Sequence, residues 1–96
     1  MKQDAVSGHA ELINEVGLHA RPSVKLTQLA KRFACRVEIA IDAAGPWVDA
    51  KSPVKVMRVK APRGATVHVR TAGPDAEPAL AAVLGLIRDG FGEGHA

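Results

Sequence analysis

Aromatic residues are scarce in this sequence: Phe33, Trp47 and Phe91 are all it has, and tyrosine is absent. None of the three falls between Lys51 and Arg63, where Lys51, Lys55, Arg58, Lys60 and Arg63 follow one another with no acidic residue among them. A basic stretch with no ring to stack on bases is a poor nucleic-acid surface. Acidic protein surfaces are the expected partners instead, and no nucleic acid is expected. Cys35 is the sole cysteine, which excludes an internal disulfide, fits a reducing compartment and reads as a small buried strand residue. No hydrophobic run approaches a membrane span, and Met1 to Ser7 lacks the apolar centre of a signal peptide, so a cytoplasmic protein without membrane attachment is expected. His9, His19, His68, His95 and Cys35 show no metal-ligand spacing, and neither a metal nor another cofactor is expected. Repeats and low-complexity segments are also missing.

What is present suits one small folded domain. The chain has 96 residues, 47% hydrophobic and 24% charged, with a formal net charge of +3, enough for a single modest core. Residues 1–8 read as a flexible leader, 9–92 as a single domain and 93–96 as a flexible tail. A short strand is expected near His9–Ile13. In the first helix, expected from Ala20 to Phe33, Pro22, Leu26, Leu29, Ala30 and Phe33 make an apolar stripe and leave Val24 outside it. Cys35 to Ile41 alternates as a strand, with Cys35, Val37, Ile39 and Ile41 on one face; Asp42–Pro46 is turn chemistry, and Trp47–Ala50 returns as its partner. Ser52-Pro53 is a cap followed by a first-turn proline, opening a short helix to about Val59. Ala65 to Arg70 alternates again, Asp75 is placed to cap a last helix, and Leu80, Val83, Leu84, Ile87 and Phe91 have helical spacing. The order βαββαβα implies an α+β domain, a four-stranded antiparallel sheet with three helices on one face and the other face open.

One stretch carries chemistry. In Gly17-Leu18-His19-Ala20-Arg21-Pro22, Gly17 can adopt angles closed to other residues and Pro22 is pre-set for a first helical turn. The N–H groups that open a helix lack internal partners, and its dipole favours negative charge there. A neutral imidazole at His19 would offer a nitrogen lone pair that can attack phosphorus. Arg21 and the N–H groups from Ala20 to Ser23, apart from Pro22, would then hold the resulting anion. The plainer alternative is that His19 is a helix cap beside a surface arginine. A second, from another class, is a small basic RNA- or protein-binding module with no phosphotransfer, in which His19 is incidental.

The run Gly17–Pro22, followed by Lys51-Ser52, resembles HPr, the histidine-containing phosphocarrier family of the bacterial phosphotransferase system, and the likeness covers roughly Ala10 to Phe91. The resemblance implies the open-faced β-sandwich of that family and a stoichiometric carrier rather than an enzyme. It implies that His19 takes a phosphoryl group on Nδ1 from phosphorylated enzyme I and yields it to an enzyme IIA-type acceptor, with Arg21 balancing charge. It implies a docking surface of Ala20, Val24, Gln28, Lys31, Lys51, Pro53, Val54, Lys55 and Met57, and a monomer. It also matches Ser52 to the serine that an HPr kinase phosphorylates in some bacteria, although Pro53 stands where the family usually has an aliphatic residue. The turn at Asp42–Pro46 is about two residues longer than in familiar members.

Overall fold

A computed structural model describes residues 5–92, so the expected tail and the first half of the expected leader lie outside the described residues. The elements are β1 (Ala5–Glu11), α1 (Ala20–Ala30), β2 (Arg36–Ala40), β3 (Val48–Asp49), α2 (Pro53–Val59), β4 (Thr66–Ala72) and α3 (Ala76–Arg88), followed by a 3-10 turn at Gly90–Gly92. The strands form one antiparallel sheet in the order β1-β4-β2-β3. The sheet face that packs on the helices carries Ala10, Val37, Ile39, Val67 and Val69. These meet Leu26 and Ala30 of α1, Val56 of α2, and Ala79, Val83 and Ile87 of α3 in one core.

The second half of the expected leader is strand: Ala5, Val6, Ser7 and Gly8 pair with Ala72, Thr71, Arg70 and Val69. β4 runs two residues further than its alternation indicates, ending at Ala72, and so offers backbone partners to a segment with little strand propensity of its own. α1 is shorter than expected, and its buried face is Pro22, Ser23, Leu26, Thr27 and Ala30, with Leu29 and Phe33 only half-buried. Small polar side chains take the place of large apolar ones where α1 meets its neighbours. Ile41, grouped by the alternation with Cys35, Val37 and Ile39, is 38% exposed where they are buried, and β2 has ended at Ala40. Phe91 is buried as expected, but in the 3-10 turn beyond α3, where its carbonyl accepts from Lys25 Nζ at 2.7 Å.

Asp75 departs from its expected role. Its side chain makes no capping bond to α3. Oδ2 accepts from the N–H of Ala34 and Oδ1 from that of Cys35, each at 2.9 Å, and so fastens the bend between α1 and β2 to the start of α3. The bond from Ala34, aided by the Cys35 thiol and N–H, holds the Asp75 carboxyl below the usual carboxylate value. The Cys35 thiol moves the other way, raised first by burial and then by Asp75. A buried thiol held protonated is a poor nucleophile.

Candidate functional site

The site begins with Asn14, a buried polar residue. Its Nδ2 donates to the Gly17 carbonyl at 2.8 Å, and the Gly17 N–H donates back to the Asn14 carbonyl at 3.2 Å, closing a tight turn. Gly17 has φ +64°, and a Cβ there would collide with the Ala61 carbonyl and stand 2.9 Å from the Pro62 carbonyl carbon. Glycine is thus required twice, by conformation and by close approach. Next along, the Leu18 N–H donates to the Ala61 carbonyl at 2.9 Å, while Gly64 donates to Leu12 at 2.7 Å. The loop before α1 is therefore fixed to the loop after α2.

His19 follows at the first boundary of α1 with extended angles, φ −81° and ψ −171°. Its carbonyl accepts the first helical bond, from Ser23 N–H at 3.0 Å, yet its side chain makes no capping bond and is exposed. His19 occupies the cap position by backbone alone, and its ring has no hydrogen-bond partner among the described residues. Because the Ser23 N–H is engaged and Pro22 has none, the donors at the helix mouth reduce to those of Ala20 and Arg21. Ser23, which the sequence did not single out, is fully buried and its hydroxyl donates to the Leu18 carbonyl at 3.3 Å. It holds the helix to the loop that presents His19. Arg21 is exposed and forms no ion pair among the described residues.

A groove of about 590 Å3 opens beside His19, lined by Glu15, Val16, Leu18, Ala20, Met57, Lys60, Ala61, Pro62 and Arg63. Glu15, Lys60 and Arg63 were not expected at the site. The two cations were visible in the basic run, but it is the backbone bonds from Leu18 to Ala61 and from Gly64 to Leu12 that bring their loop to His19. Lys60 sits at φ +54°, ending α2 in a left-handed conformation that turns the chain towards the groove.

The residues expected to dock partners divide. Val24 is 42% exposed, Val54 53% and Met57 37%, with Pro53 half-buried and Met57 reaching the groove. Gln28 instead borders a separate hollow with Lys25, Leu29, Arg32 and Leu86, and Lys31 lies just past the far end of α1, about 16 Å along the axis from its start. Lys55 faces, with Arg58, another hollow beside the turn Asp42–Pro46. Lys51 is half-buried and its Nζ donates to the Phe33 carbonyl at 2.7 Å, so it fastens the end of α1 rather than reaching outward. Ser52 caps α2 as expected, its Oγ accepting from Lys55 N–H at 3.4 Å.

A helix mouth with an unengaged imidazole, free N–H donors and an adjacent arginine can receive an anionic group on nitrogen and release it again. Set on one end of an open-faced sandwich, this arrangement defines a phosphoryl carrier. The family model PTS-HPr, described as "PTS HPr component phosphorylation site", matches residues 6–89. The chain is 49% identical to Phosphocarrier protein HPr of Cupriavidus necator over 84 residues, covering 88% of this chain and 92% of that one. It is 36% identical to Phosphocarrier protein NPr of Escherichia coli K12 over 83 residues, covering 86% and 91%. Among solved structures, HPr-C-His from Thermoanaerobacter tengcongensis superposes with a TM-score of 0.84 at 31% identity, over 93% of this chain and 98% of that one. The chain belongs to the HPr family. It is a phosphocarrier of the phosphotransferase system, a stoichiometric carrier and not an enzyme, and it works with the enzymes of that system.

Proposed function

We propose that His19 accepts a phosphoryl group from phosphorylated enzyme I and passes it to an enzyme IIA-type acceptor. The observation that carries this reading is the exposed His19 ring, which sits at the helix mouth and does no capping. A ring nitrogen, Nδ1 by the family resemblance, attacks phosphorus of the donor's phosphohistidine. The new N–P bond forms as the donor's N–P bond breaks, and the donor imidazole keeps the electron pair. Transfer to the acceptor repeats the exchange. The protein contributes position and charge balance, from Arg21 and the N–H groups of Ala20 and Arg21.

Residues 9–92, extended at the front by the rest of β1, act as a single domain, working as a monomer in the cytoplasm. Partners dock on the apolar spots of Ala20, Val24, Pro53, Val54 and Met57, with Lys60 and Arg63 as a basic rim; Gln28, Lys31, Lys51 and Lys55 contribute less, from the positions described above. Ser52 is proposed as a regulatory site for an HPr kinase. A phosphate there adds about −1.5 to −2 charges beside the docking patch and reselects partners.

The test is labelling by enzyme I and phosphoenolpyruvate. The parent chain takes up phosphate, His19→Ala takes up none, and Arg21→Ala is labelled more slowly while remaining folded. Undiminished labelling of the alanine variant at position 19 rejects the reading. Mass spectrometry after incubation with ATP and a kinase of this class decides Ser52 separately.

A further inference from the structure

Strand pairing brings two histidines opposite one another, away from His19. His9 and His68 are direct partners in the register between β1 and β4. Their ring centroids are 5.8 Å apart and their planes tilt by 47°. Both belong to the sheet face that the helices leave uncovered, with His9 exposed and His68 half-buried. An ion bound by imidazole sits about 2.0–2.1 Å from the ring nitrogen, so two rings sharing one tetrahedral ion have centroids roughly 5.2 Å apart. The observed spacing is wider by only about 0.6 Å, which small side-chain rotations can close.

The surroundings suit a cation better than the net charge suggests. Arg70, two positions along β4, already donates to Glu38 Oε1 at 2.7 Å and lies 4.2 Å over the Trp47 ring. Glu11 shares the alternating exposed phase of His9 on β1. Among the described residues no third histidine, cysteine or carboxylate completes a larger cluster, so two imidazoles supply the protein's ligands and water the rest.

We propose that His9 and His68 form a two-imidazole site for a divalent late first-row transition ion of the zinc or copper class. Imidazole donors favour such ions over magnesium and calcium, which prefer oxygen. The ion clips β1 to β4. That matters because β1 is an edge strand with one strand neighbour, β4, besides α3 packed against it, and it leads directly into the loop that presents His19.

The test uses the full chain carrying His19→Gln and His95→Gln, which leaves His9 and His68 as its only imidazoles. Titration calorimetry with Zn2+ should show one ion bound per chain, and Zn2+ but not Mg2+ should raise the thermal midpoint. Adding either His9→Gln or His68→Gln should weaken binding by at least about tenfold, no less than the loss of an outer-shell partner costs, and should abolish the rise in midpoint. Absence of saturable Zn2+ binding overturns the proposal. So does undiminished affinity in either glutamine variant, with circular dichroism confirming that the variants fold.

Discussion

Gly17 shows how much of the site depends on a missing methyl group. Its positive φ disfavours any larger residue by about 1–3 kcal/mol, and the Ala61 carbonyl occupies the space a Cβ needs. Gly64 is the natural comparison, because it also has a positive φ, +92°, but a Cβ there meets nothing within 4 Å. Gly17→Ala should therefore lower unfolding stability by clearly more than Gly64→Ala, read by urea denaturation. It should also impair labelling of His19, since relieving the collision moves the loop. Equal costs for the two variants would mean that the contact with Ala61 does not constrain the loop. Glycine at this position was legible in the sequence as a turn residue. Its collision partner was not, because nothing local to Asn14–Pro22 refers to Ala61.

At the scale of elements, α2 and β1 mark the two extremes of legibility. Ser52-Pro53 encodes cap and first turn within two residues, and α2 runs from Pro53 to Val59 as expected. β1 begins with Ala-Val-Ser-Gly, whose strand form depends on β4. Asp75 lies between these cases: its type announced a helix start, but its carboxylate serves the bend before β2. Because its folded pKa is lowered, its stabilisation is fully present above the ordinary carboxylate value of about 3.9 and is lost as pH falls through the lower, folded value. Asp75→Asn should thus be less stable than the parent at neutral pH, with the difference shrinking as pH falls below about 3.9. Denaturation curves across that range check this. A stability gap that is independent of pH would show that the charge on Asp75 contributes nothing.

Across the whole molecule, the two loops that meet at His19 place Lys60 and Arg63 on one rim of the groove and Arg21 at the helix mouth. Exposed cations attract an acidic partner over about 10 Å at 0.1 M salt and over less at higher ionic strength. In the enzyme I reaction proposed above, the KM for this carrier should therefore rise with salt. Lys60→Gln combined with Arg63→Gln should raise it severalfold at low salt and flatten that dependence. A KM indifferent to both would remove the basic rim from docking.

The sequence by itself determined the element order and the cap of α2, and it singled out His19 and Arg21 as the candidate reactive pair. Each is encoded by residues within a turn or two of one another, where backbone propensity and side-chain spacing act directly. Only the tertiary structure decided that Lys51 bonds the Phe33 carbonyl, that Lys60 and Arg63 border the groove, and that His9 meets His68. Those outcomes rest on hydrogen bonds and strand register between segments tens of residues apart, and such long-range contacts leave no local periodicity to read.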